Sequence, residues 1–257
     1  MIRRNSCTVL VCRVCLVFMA MVVSAMAQPA AEWIRRGDLL DQQNQTAPAL
    51  AAYLQAEKAG PPTAALLHRI AKQYGLSMND APTEAAKRAA AEQALAYAQR
   101  SVKLDSKDPD AHVASAICYG RLLRFQETKV QIAWSRLIKA QAEEALRLQP
   151  DHELACYVLG AWHYEMAGLS PVKRGLARLI YGALPSASYG EAAAYFRQAI
   201  ARNPERMAHH VDLGRTLIKL KDTAGAMASL RQGLALPNRD RDDPVVRARG
   251  KAALAAL

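Results

Sequence analysis

Alanine-rich runs with helical spacing of apolar residues follow one another along the chain, and several end at a proline. "AAYLQAEKAGP" runs into Pro61, "AEEALRLQP" into Pro150 and "FRQAIARNP" into Pro204, while "AQRSVKLDS" closes a related run at Ser106. Proline stops a helix and turns the chain. Each run therefore reads as the second helix of a helical hairpin, with the next hairpin beginning just beyond it. In the segment 30–63, small Gly37 and Ala49 occupy positions 8 and 20, bulky Tyr53 position 24, small Ala56 position 27 and Pro61 position 32. Small residues let paired helix backbones approach, and the bulky ones fill the gaps beside them.

The same register recurs from Ala64 (with Ala71), Pro109 (Ala116), Glu153 (Gly160, Ala192, Phe196, Ala199, Pro204) and Met207 (Gly214, Ala226, Leu230). This is the pattern of tetratricopeptide hairpins. It predicts an all-α fold over residues 28–257, a tetratricopeptide-like α-α superhelix (solenoid) of about five helical hairpins. Hairpins starting near 30, 64, 109, 153 and 207 are separated by 34, 45, 44 and 54 residues. The second and third thus carry long inserted helices, about three extra turns each, and the fourth holds a 170–188 insertion. In that insertion Leu176, Leu179 and Ile180 recur at helical spacing and predict a short amphipathic helix over 172–181, ended by Gly182 and Pro185. Ser188 is placed to cap the helix that follows. The apolar face of the inserted helix has two destinations: its own hairpin, or the mouth of a binding groove or a membrane.

Composition agrees. Hydrophobic residues make up 51% of the 257, which excludes a disordered chain, and only 3 are Phe. The N-terminus reads differently from the repeats. A basic start, "MIRRNSCTVLVCRVC", leads into apolar "VCLVFMAMVVSAMA" and the small-x-small triplet Ala25-Met26-Ala27. Residues 1–27 are expected to be a cleaved signal peptide, with a single N-terminal membrane anchor as the alternative. The expected location is exported, periplasmic or envelope-associated. Removing Arg3, Arg4 and Arg13 lowers the formal net charge from +11 to +8 on the remainder. Such a surface suits acidic protein, anionic lipid or nucleic acid without choosing among them. Cys118 and Cys156 remain after cleavage and read as small apolar residues within helices; pairing between them stays open.

Three stretches carry a more specific likeness: "LGAWHYEMAGL" (159–169), "YGALPSASYGEAAAYFRQAIARNP" (181–204) and "HHVDLGRTLIKLKDTAGAMASLRQGLALP" (209–237), with the terminal "DRDDPVVRARGKAAL". Trp162 and the Tyr181-Gly182-Ala183-Leu184-Pro185 loop are its most distinctive parts, together with Leu179 and Ile180. The chain resembles the regulator of microtubule dynamics family over about residues 30–257. That resemblance implies the same helical domain. It also implies association with microtubules and membranes in eukaryotic members, some of them linked to lipid handling. A chain with a bacterial-type export signal is not expected to contact microtubules, and no nucleic-acid partner is expected.

Catalytic motifs are missing: there is no G-x-G-x-x-G, phosphate-binding Gly-Lys-Ser/Thr loop, G-x-S-x-G or H-E-x-x-H. The six histidines are scattered, and a metal site needs several convergent ligands. His163 falls on a packing position. Asp108, Asp151 and Glu205 adjoin helix starts, where acidic side chains cap amides or meet the dipole. No enzyme, cofactor or metal is therefore expected.

Binding remains. Positions 2, 5, 9 and 12 of each first helix line the concave groove of this architecture. They supply Arg69 and Lys72, then Val113, Ile117 and Arg121, then Tyr157 and Tyr164, then Val211, Arg215 and Ile218, with Lys219 adjacent. A groove of aliphatic and aromatic patches with basic edges fits an acidic protein or peptide partner, or an anionic lipid. Two functions follow: an exported scaffold for protein–protein interaction, and a lipid or amphiphile carrier using the groove and the insertion. A solvated basic face is the plain structural alternative.

Overall fold

The computed structural model describes residues 29–181 and 186–257, with the side chains of Ile180 and Tyr181 left aside. The leader, Gly182 and Pro185 lie outside the described residues. Within them every regular element is helical. Five hairpins form the array: α1 (29–42) with α2 (Thr46–Ala59), α3 (Ala64–Ser77) with α4 (Glu84–Leu104), α5 (Pro109–Leu122) with α6 (Thr128–Leu148), α7 (Glu153–Ala167) with α9 (Tyr189–Arg202), and α10 (Met207–Lys219) with α11 (Thr223–Ala235). The insertion supplies α8 (Pro171–Tyr181), and α12 (Asp243–Ala255) packs on α10 and α11 at the C-terminal end.

Helix starts are set by local hydrogen bonding. Thr63, Thr83, Asp108, Ser188 and Asp222 each accept a backbone N–H from the first turn of the helix they precede. At α7 the cap is His152, whose Nδ1 accepts from Ala155 N at 3.3 Å, rather than the neighbouring Asp151. The long helices are shorter than the hairpin spacing suggests. α4 and α6 have 21 residues against 14 in α3 and α5, so about two extra turns are helical. The remaining length goes into the 78–83 linker and a 3-10 turn, Leu123–Phe125.

The first, fourth and fifth hairpins close through a glycine facing a large residue. A methyl built on Gly160 would lie 2.8 Å from Phe196 ring carbons, and one on Gly214 would lie 2.6 Å from Leu230 Cγ. Phe196 and Leu230 are in turn almost fully buried. Tyr53 is completely buried in the first hairpin, and its hydroxyl donates to Asp38 at 2.8 Å. Cys118 and Cys156 are unpaired and buried.

The array does not stay open at its ends. Residues 236–242, between α11 and α12, form a strap across the turn ends of the first three hairpins. Asn44 donates to Arg239 O at 2.8 Å, and Asn79 donates to Asp242 at 2.6 Å. Asp242 also meets Arg121 at 3.2 Å, and Arg241 pairs with Asp80. Asp243 fixes the strap's end by accepting from Arg239 N and Asp240 N at 2.7 and 2.8 Å.

Candidate functional site

An apolar chamber of about 520 Å³ opens between the third hairpin, α7 and α8. α5 contributes Ile117 and Gly120, α6 contributes Ile132 and Ile138, and α7 contributes Trp162 and Met166. α8 closes one side with Ala177 and Lys173. The helices meet here at residues that cannot fill the space. A methyl on Gly120 would find nothing within 4 Å, and Ala177 is the one fully buried side chain described on α8.

Several polar groups of the chamber bond within the protein. Gln131 donates to the carbonyls of Leu123 and Gln126 at 3.1 and 2.9 Å. The Ser135 hydroxyl donates to Ile132 O, and its carbonyl accepts from Trp162 Nε1, both at 2.8 Å. Tyr157 also faces the chamber, and its hydroxyl donates to Asp212 at 2.8 Å. Burial, reinforced by the Asp212 carboxylate, pushes the Tyr157 phenol far above its ordinary range, so it stays protonated. Charge enters only through Arg124, Glu165 and Lys173, and Arg124 is held by Glu84 at 2.6 Å.

Of the groove residues expected from sequence, Ile117 and Tyr157 line this chamber, and so does Trp162 of the family motif. The basic ones sit elsewhere, and all but Lys219 lie beside a carboxylate of the same chain. Arg69 pairs with Asp38 at 3.0 Å and Lys72 with Asp41 at 2.7 Å. Arg121 donates to Gly75 O at 2.7 Å and meets Asp242 in the strap. Arg215 pairs with Asp212 at 2.9 Å and lies over the Tyr164 ring at 5.0 Å. Lys219 is exposed at the end of α10. The basic row is thus largely matched within the molecule. Of the apolar positions beside it, Ile117 and Tyr157 line the cavity, while Val113 and Val211 are buried in the core.

Other titratable clusters have structural tasks. His68, Asp108 and Asp110 bring one ligand atom each within 4.8 Å of the others. Asp108 caps α5, however, and Asp110 pairs with His152 at 3.0 Å. That contact with His152 holds the Asp110 carboxyl below its usual range. His209 is completely buried against Glu153 at 2.5 Å, and His163 lies 3.2 Å from Glu191.

Of the two destinations expected for the α8 stripe, its own hairpin is not the one taken. Val172 is 81% exposed and Leu179 85%, while Leu176 is 38% exposed. The sequence register missed the chamber walls Gly120, Ile132, Ile138 and Ala177, because it assigns groove positions one hairpin at a time. A visible signal was the 132, 135, 138 spacing on α6, which puts three residues of the chamber wall at helical spacing.

The comparisons agree with this architecture. A thermophilic TPR protein of Thermus thermophilus matches with a TM-score of 0.61 at 16% identity, covering 88% of this chain and 99% of that one. The pilF protein of Pseudomonas aeruginosa matches with a TM-score of 0.56 at 13% identity, covering 90% of each. Both likenesses are of fold. Regulator of microtubule dynamics protein 1 of Mus musculus is 27% identical over 194 residues, 75% of this chain and 64% of its own length. The Bos taurus protein of that name is 28% identical over 152 residues, 59% of this chain and 48% of its own length. The chain thus spans about half to two thirds of these relatives. The family model for regulator of microtubule dynamics protein 1-3 matches residues 33–257. Register, insertion and C-terminal segment fall inside that match, and the chain belongs to the regulator of microtubule dynamics protein family.

Proposed function

We propose that the protein is a non-enzymatic, exported binding scaffold whose own ligand is the apolar chain of an amphiphile with an anionic head. The observation that carries this is the chamber beside α8. Its volume is that of a small-molecule site, and its walls are aliphatic and aromatic. A peptide would bring a backbone donor and acceptor with every residue, and each needs a partner once buried. Gln131, Ser135 and Trp162 already bond within the protein, so they leave little for such a backbone. A methylene chain asks for none. The chamber's charged lining is Lys173, Glu165 and Arg124, the last already paired with Glu84, so Lys173 is the cation left for an anionic head.

A protein partner is the second reading. It is supported by the repeat architecture, which presents extended surfaces, and by the exposed ends of the basic row such as Lys72 and Lys219. The periplasmic or envelope location rests on the leader sequence alone.

Native mass spectrometry of the purified protein tests the first reading. A stoichiometric single-chain or two-chain lipid is expected, and Ala177→Trp should remove it while the helical circular dichroism is kept. Lipid-free protein that takes up no acyl probe, yet captures a defined acidic peptide, would reverse the order of the two readings.

A further inference from the structure

α8 presents an apolar stripe that neither the chamber nor the repeats use, although Lys173 beside it also lines the chamber. Three large apolar side chains, Val172, Leu176 and Leu179, are exposed along its 11 residues. The other exposed large apolar residues of the described chain, such as Leu39, Leu104 and Leu220, are spread over separate helices. On a helix at about 100° per residue, positions 172, 176 and 179 fall within about 60° of one another. Lys173 stands about 90° from the centre of that stripe on one side and Arg178 about 130° on the other, and both are exposed. Arg174 points away from the stripe, and Ala177, about 130° round on the Lys173 side, is 1% exposed. Arg174 donates to the carbonyls of Ala167 and Leu169, at 3.2 and 3.3 Å, which ties α8 to the end of α7. The inner face is thus anchored, and the outer face is apolar along its centre, with an exposed long cation on each side of the helix.

We propose that α8 is an interfacial docking helix for an anionic membrane surface. Val172, Leu176 and Leu179 enter the boundary between headgroups and acyl chains, and Lys173 and Arg178 meet lipid phosphates on either side. Charge selects this occupant. Residues 166–190 contain Lys173, Arg174 and Arg178 and no Asp or Glu, so the whole segment is positive. A short helix with a narrow apolar stripe and cationic flanks lies in the interface plane rather than crossing it. Among the described residues, no helix is long and apolar enough to cross a membrane. A second copy of this chain is a poorer match, because two such faces would bring four cations together, Lys173 and Arg178 from each copy.

The inference does not depend on the chamber holding an amphiphile. Hydrogen exchange read by mass spectrometry on the full chain tests it, because the readout is local to α8 and independent of the leader. Exchange across 171–181 should slow with phosphatidylglycerol-containing vesicles and stay unchanged with pure phosphatidylcholine. High salt should reverse the slowing. Lys173→Gln with Arg178→Gln should weaken this protection about 25-fold in lipid concentration, from about fivefold per cation near an anionic surface. Leu179→Asp should abolish it, with the thermal midpoint unchanged because Leu179 touches little of the protein. Equal protection by neutral vesicles, protection that survives Leu179→Asp, protection by protein concentration alone, or no protection by any vesicle would each overturn the proposal. None of these outcomes bears on acyl-probe uptake measured without vesicles, so the chamber reading stands or falls separately.

Discussion

Replacing glycine by alanine should act with opposite signs at two helical sites of this protein, and the difference measures how tightly its hairpins close. In a helix interior, Gly→Ala gains about 1 kcal/mol from backbone entropy alone. At Gly120 nothing lies within 4 Å of the added methyl, so Gly120→Ala should show that gain nearly whole. At Gly160 the methyl would stand 2.8 Å from Phe196 carbons, and Phe196 is 1% exposed with nowhere to move. Overpacking of this kind costs about 1–3 kcal/mol, which offsets or exceeds the propensity gain. The two variants should therefore differ by about 1–3 kcal/mol, or roughly 2–12 °C in thermal midpoint for a chain of this size. Thermal unfolding followed by far-UV circular dichroism reads the difference directly. Phe196→Leu combined with Gly160→Ala should recover part of the loss, giving a favourable coupling between the two changes. If Gly160→Ala proves as stable as Gly120→Ala, the close approach of α7 and α9 is not what requires glycine there.

Three further outcomes are expected. Burial lowers the pKa of His68, His163 and His210, so the unfolded chain binds more protons below about pH 6.5 and stability should fall as pH drops from about 7 to about 5; His68→Gln should flatten that slope in pH-dependent melting, and an unchanged slope would argue against His68. Asp242→Ala removes a half-exposed pairing with Arg121, which predicts a loss of at most about 1 kcal/mol but clearly faster hydrogen exchange in 78–83; slow exchange there would show that the strap is not what holds the linker. Burial pushes the Cys118 thiol up to about 12, and the Cys156 thiol is raised for the same first cause. At about pH 8 a thiol at about 12 is roughly one part in ten thousand thiolate, so peptide-resolved alkylation should modify Cys118 only after denaturant is added.

Much of the fold was legible because its signal is local and repeated. Gly37, Ala71, Ala116, Gly160 and Gly214 stand at equivalent positions in their hairpins, and the three glycines answer a short-range steric need that one sequence displays. What escaped depends on contacts far apart in the chain. Arg121 looked like a free groove cation, and its partner Asp242 lies 121 residues away. α12 could have been found from Asp242-Asp243-Pro244, an acidic helix start with proline in the first turn, but its docking on α10 has no periodic signature. The chamber is another such case, because a cavity is defined by side chains that are too small, drawn from four helices at once. For α8 the periodicity revealed the stripe but not its direction. Amphipathicity says that two faces differ, and packing decides which one meets the protein.

The strap between α11 and α12 changes what kind of polymer this is. A helical-repeat array is ordinarily a line, in which each unit feels only its neighbours and the terminal units fray first. Contacts between Asn44 and Arg239, 195 residues apart, join the line into a ring. With the turn of the first hairpin tied to the last, that hairpin is less free to start melting on its own. The first and last hairpins should come apart in one step rather than peel off in sequence, and a cut anywhere in the strap should restore two independent ends.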